Sequence, residues 1–253
     1  MPALINKGFT LIELVIVIII LSAIGIATSS YIATGVSIYT DVADRDKSIN
    51  SLRFVIERMR REVANALPNS AIVDGNCLTF TPTIASTLYA SDFPIAPLSA
   101  NSGSIAAIER ASDGSNKVIN GDRAVVYILE RDDLSSVGDA GKSKLISINN
   151  AQDTITFTNT DADGVASYPL GSPAKRIYFI RNNNDISYCF VSNQIKRTDI
   201  DAANVLMANN ISGSFTVEKA TLQRNSLVQV KFLLYFDEQE AAFEETLHIN
   251  NVP

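Results

Sequence analysis

The stretch FTLIELVIVIIILSAIGIATSSYIATGV, residues 9–36, restricts this chain more than any other feature. From Leu11 to Ala27 its only charge is Glu13. About 20 apolar residues in helical form cross a bilayer core of about 30 Å, so the segment is long enough to span a membrane. Before it stand residues 1–8, MPALINKG, with Lys7 as their one charged side chain. After it come Asp41, Asp44 and Asp46. Positive residues favour the cytoplasmic side, so the expected topology is single-pass, with the N-terminus cytoplasmic and the rest of the chain outside. In a bacterium that means an inner-membrane protein with a periplasmic bulk.

A secretory signal also starts basic, but its apolar core runs to about 7–15 residues and ends at small residues, for which Ala27-Thr28-Ser29 would serve. Glu13 argues against that reading. An acid inside a spanning segment costs on the order of 2.5–3.5 kcal/mol unless it sits shallow or finds a partner, and a disposable signal gains nothing from the penalty. A plain anchor with Glu13 snorkelling to the cytoplasmic face is the simpler alternative. Were the chain cut between Gly8 and Phe9, the new α-amino group would lie about one helical turn from Glu13. A neighbouring copy's amine could then neutralise the carboxylate in low dielectric.

Lys7-Gly8-Phe9-Thr10-Leu11-Ile12-Glu13-Leu14 resembles the processing motif of type IV prepilins and type II secretion pseudopilins. The resemblance implies a leader peptide at residues 1–8, cleavage between Gly8 and Phe9 by a prepilin peptidase, N-methylation of Phe9, and docking of Glu13 against other pilin subunits. It also implies delivery through an inner-membrane assembly platform into a pilus or pseudopilus filament.

Beyond the span, Ile49, Leu52, Ile56, Met59, Val63 and Leu67 recur every three or four residues, one stripe of an amphipathic helix. Arg53, Glu57, Arg60 and Arg61 fall between them, Glu57 and Arg61 are spaced for an i,i+4 pair, and Pro68 supplies a stop. Residues 9–67 thus read as one helix of about 90 Å, spanning over about 9–30 and amphipathic over about 40–67. Gly25 and Gly35 admit bending or close packing. The basic cluster of Arg58, Arg60 and Arg61 reads as a solvated face.

Residues 68–253 change period towards two and read as a β-rich globular head, giving an α+β fold with a helical spine on a mainly antiparallel sheet. Strands are expected at 77–81, 123–130, 144–148 and 153–158. A hairpin is expected between 175–180 and 186–191 across the Asn-rich 181–185. A second pair, 214–220 and 227–236, brackets a polar turn at 223–226, with an edge strand at 243–249. The Ser-, Ala- and Asn-rich segment 85–120 reads either as a partner-specific surface or as an insertion whose Phe93, Ile95, Leu98, Ile105 and Ile108 cover the sheet.

The 253-residue chain carries a formal net charge of −6 and a pI near 4.9, so it has no general attraction for nucleic acid. Its two cysteines, Cys77 and Cys189, lie on different expected strands in a compartment that permits disulfides; a bridge and two free thiols are the alternatives. Asn159, Asp161 and Asp163 have the oxygen spacing of half a calcium loop, but Leu170 stands where a bidentate Glu would be needed, and a polar turn accounts for the same residues. No cofactor is expected. The single His248 has no nucleophile elbow or zinc motif beside it. Asp132-Asp133 and Glu244-Glu245 would point to opposite faces of a strand, so no catalytic dyad is expected and the chain reads as a non-enzyme. The functions in play are a minor pilin, a minor pseudopilin of a type II secretion system, and an adhesive tip subunit recognising its ligand through 85–120.

Overall fold

A computed structural model describes residues 10–134, 141–158, 164–220, 225–236 and 239–250. It divides into two compact units with the boundary between Asn50 and Ser51. The helix α1, Leu11–Ala64, supplies nearly all the described part of the first unit and the opening of the second. Among the described residues it is the one helix long and apolar enough to cross a membrane.

In the second unit α1 buries Leu52, Val55, Met59 and Val63, spaced three, four and four. The buried line therefore runs through Val55 where the expected stripe had Ile56, which is half-buried. The helix stops at Ala64, slightly before the expected Leu67, because Leu67 precedes Pro68 and is biased away from helical geometry. Its final carbonyls are capped by distant backbone: Asn250 N–H donates to Ala64 O at 3.2 Å, and Thr83 N–H to Asn65 O at 2.9 Å. No local Gly cap is needed, since the head itself satisfies the helix end.

The strands are β1 Ile72–Asp74, β2 Cys77–Phe80, β3 Thr83–Leu88, β4 Ser102–Ser104, β5 Arg123–Val125, β6 Ser143–Ile148, β7 Thr154–Phe157, β8 Arg176–Ile180, β9 Ile186–Val191, β10 Gln194–Thr198, β11 Val205–Asn209, β12 Ile211–Glu218, β13 Leu227–Phe236 and β14 Gln239–His248. They form a five-stranded sheet β1-β2-β9-β10-β11, a six-stranded sheet β3-β8-β5-β6-β7-β4 and a three-stranded sheet β12-β13-β14. Every ladder between described strands is antiparallel. The fold is α+β, a long apolar N-terminal helix packed on antiparallel sheets through its last turns.

β8 shows how period two is used when both faces are covered. Ile177 and Phe179 enter a large core with Phe93, Phe157 and Tyr168, while Tyr178 and Ile180 enter a second core with Leu67, Ile128 and Leu134. The three-stranded sheet is tied to the five-stranded one by aromatic contacts. Phe190 of β9 stacks on Phe215 of β12 at 4.9 Å and meets Phe232 of β13 edge-on at 5.9 Å.

Residues 175–180 and 186–191 do not form a hairpin: β8 pairs with β3 and β5, and β9 pairs with β2 and β10. Asn183 does take the left-handed conformation, φ 56°, but the turn carries the chain from one sheet to another. The hairpin actually made by β9 closes through Ser192 and Asn193, both with positive φ, 50° and 57°. The strand expected over 123–130 ends at Val125, and Tyr127 has φ 46°, incompatible with a continuing ladder. Asp132 and Asp133 lie in a short 3-10 helix, Arg131–Leu134, so the strand argument about their facing does not apply.

The pair 214–220 and 227–236 does form, as β12 and β13, with β14 added as an edge. Most of the intervening turn, 221–224, lies outside the described residues. The segment 85–120 is largely a core-covering one: Phe93, Ile105, Ile108 and Val118 are buried, whereas Leu98 is exposed.

Candidate functional site

From Leu11 to Thr40 the helix has Glu13 as its sole charge. Within its own unit this surface is uncovered: Leu11 is 81 % exposed, Ile26 74 % and Tyr31 82 %. An apolar face of that extent needs lipid or protein around it. Several hydroxyls along it are turned inward. Ser22 donates to Ile18 O at 2.7 Å, Thr28 to Ile24 O at 2.9 Å, and Thr34 to Ser30 O at 3.0 Å. Such back-bonding leaves those hydroxyls no need of water, which suits an apolar surrounding.

Thr10 caps the helix. Its carbonyl accepts from Leu14 N–H at 3.2 Å, and its Oγ1 lies 3.4 Å from Glu13 N. Thr10-Leu11-Ile12-Glu13 has the sequence of a capping box, a signal that hydropathy and the processing motif passed over. The cap fixes Glu13 in the first turn, where a negative charge meets the positive end of the helix dipole. Gly8 and Phe9 lie outside the described residues, as do Asn159, Asp161 and Asp163. Among the described residues no group of three or more His, Cys, Asp and Glu is placed to hold a metal. His248 is an exposed residue of β14.

In the second unit the last turns of α1 are fastened by a polar cluster that sequence reading did not identify. The Glu62 carboxylate accepts from Tyr188 Oη at 2.7 Å, from Arg197 Nε at 3.0 Å, and from Arg58 Nε at 3.1 Å. Arg197 also pairs with Asp199. Burial pushes the Tyr188 phenol up, and the Glu62 carboxylate adds to the shift. Burial would lower Arg197, but its bonds to Glu62 and Asp199 outweigh that and raise it. Arg58, Arg60 and Arg61 are all ion-paired: with Glu62, with Glu57 and Glu245, and with Glu57 respectively. The basic cluster is thus spent on the helix and its neighbours. A clamp of this kind has no sequence signature, because Glu62 and Arg197 are joined only by the fold.

Cys77 of β2 and Cys189 of β9 stand opposite each other in register and are joined by a disulfide, with Cα atoms 4.1 Å apart.

A comparison with protein families matches residues 5–29 to the prokaryotic N-terminal methylation motif. The match spans the Gly8–Phe9 bond, the Thr10 cap, Glu13 and most of the apolar run. It supports a type IV pilin-like or pseudopilin-like protein, a class that is structural, is processed by prepilin peptidase and assembles with other pilins. The apolar helix is consistent with membrane anchoring. Neither the curated proteins nor the solved structures contain a match to this chain.

Proposed function

We propose that this chain is a minor subunit of a type IV pilus of the MSHA kind. The opening INKGFTLIELVIVIIILSAIGI and the closing LHINNVP resemble the MSHA pilus biogenesis protein MshO. On this reading the chain enters the inner membrane once, with residues 1–8 cytoplasmic and the head periplasmic. Prepilin peptidase cuts between Gly8 and Phe9, the new terminus is N-methylated, and the assembly platform lifts the subunit into the filament. There Glu13 docks against a neighbouring subunit's terminal amine. The head initiates, caps or decorates the filament.

The observation that supports this best is the uncovered run from Leu11 to Thr40 with one carboxylate in its first turn. A carboxylate kept at the start of an otherwise uncharged helix calls for a cation delivered by another chain once the membrane is left. Deleting the gene and scoring surface pili and exoprotein secretion together tests the assignment. Loss of pili with normal secretion is expected; normal piliation with lost secretion assigns the chain to a type II secretion pseudopilus instead.

A further inference from the structure

The uncharged part of α1 is longer than the interior of a membrane. As helix, the stretch from Leu11 to Thr40 measures about 45 Å, against about 30 Å of hydrocarbon and about 40–45 Å once both headgroup layers are included. About ten of its residues must lie outside hydrocarbon, and the placement of polar groups decides which. At the lower end Leu11 opens the helix, and the first N–H groups of a helix have no acceptor within it. Neither those donors nor the Glu13 carboxylate is stable in hydrocarbon without a partner, so this first turn belongs in a headgroup layer. From Leu14 to Ala27 the single side chain with a polar atom is Ser22, and it is back-bonded to Ile18 O. The composition changes at Thr28: most residues from there to Thr40 carry a hydroxyl, and Asp41 follows.

Tyr31 stands about 27 Å above Glu13 along the helix, where hydrocarbon measured from Glu13 gives out. Its ring is exposed, as is that of Tyr39 two turns further on. An aromatic ring carrying a hydroxyl prefers the boundary between lipid and water, its body apolar and its tip wet. Polar or amphipathic groups thus mark both ends of one bilayer-sized interval. We propose that, before assembly, phospholipid headgroups hold the subunit at one depth, with Tyr31 in the periplasmic headgroup layer and Glu13 in the cytoplasmic one. This rests on the reading that the chain crosses the inner membrane once. In the resting subunit the acid then stays out of hydrocarbon. Withdrawal towards the periplasm draws the Glu13 carboxylate into the bilayer interior and lifts the Tyr31 ring out of its layer, so the two residues together form a latch against extraction.

The sequence has no Trp and both cysteines are joined in the disulfide, so a single introduced Trp or Cys reports alone. Full-length protein carrying Tyr31→Trp or Leu21→Trp is reconstituted in phosphatidylcholine vesicles containing lipids brominated either near the headgroup or near the chain ends. Tyr31→Trp fluorescence is quenched about twofold or more better by the shallow bromines than by the deep ones, and Leu21→Trp shows the reverse order. N-ethylmaleimide, which needs a thiolate and therefore water, labels Ile12→Cys and leaves Leu21→Cys unlabelled. With Leu21→Trp quenched by the deep bromines, the proposal is overturned while the span stands if Tyr31→Trp is quenched best by the deep bromines or by neither lipid, or if Ile12→Cys stays unlabelled. Leu21→Trp quenched by neither lipid overturns the span, and the proposal with it.

Discussion

Glu13 belongs to two constructions at once. It is the third residue of a turn capped by Thr10, and it is the lone charge of the apolar run. The capped turn does not require the carboxylate, because the hydrogen bonds there use the Glu13 backbone N–H. Glu13→Ala should therefore leave membrane insertion and leader cleavage intact and remove the subunit from sheared filaments; wild-type amounts in the sheared fraction would refute the docking role. Asp199 carries a pH prediction. Its hydrogen bond from Arg197 holds its carboxyl below the usual range, with backbone N–H groups of Ala202 and Asp201 assisting. A depressed folded pKa contributes stability that is present above the unfolded value of about 3.9 and lost as pH falls through the folded one. Thermal midpoints should decline on acidification below about pH 4, and the decline should be smaller in Asp199→Asn. Gly213 is fixed by close approach: a Cβ there would stand 2.1 Å from Lys231 O and 2.6 Å from the Phe190 ring. Gly213→Ala should cost on the order of 1–3 kcal/mol in chemical denaturation.

At the scale of elements, the last turns of α1 behave as part of the head. Met59 is fully buried, so Met59→Ala should lose about 2–5 kcal/mol, whereas Arg61→Ala, removing an exposed i,i+4 pair with Glu57, should change stability by less than about 1 kcal/mol. The disulfide closes a separation of 112 residues, and replacing both cysteines with serine should cost about 2–5 kcal/mol by the same measurement. The helix was legible because 3.6-residue periodicity and a long uncharged run are local signals, as was the β12–β13 pair. The β8–β9 hairpin was misread because Asn183 marks a turn but cannot say which sheet the next strand joins. β8 is buried on both faces and has partners on both edges, so long-range pairing overrode the local preference. The strands β1, β3, β4, β10 and β11 have no counterpart among the expected ones. The Ser192-Asn193 turn that closes β9 on β10 was the available signal.

At the scale of the molecule, the sequence motif and the structure bear on different units. Residues 5–29 carry the family signature, and the exposed run they share with the helix, Leu11 to Thr40, is an unfinished surface. The head from Ser51 onward is finished by its own cores, the Glu62 clamp and the cysteine bridge. That division is what a filament subunit requires: an assembly segment completed by other chains, and a head that folds on its own contacts. None of the clamp was legible beforehand, since Glu62, Tyr188 and Arg197 meet only through tertiary packing. A filament subunit of the proposed kind has its Gly8–Phe9 bond cut and carries the new terminus into the filament. Mass spectrometry of the N-terminal peptide of this subunit, recovered from sheared surface filaments, tests it most directly. The prediction is a peptide beginning at Phe9 and one methyl group heavier than its sequence; a subunit retaining residues 1–8, or absent from the filaments, contradicts it.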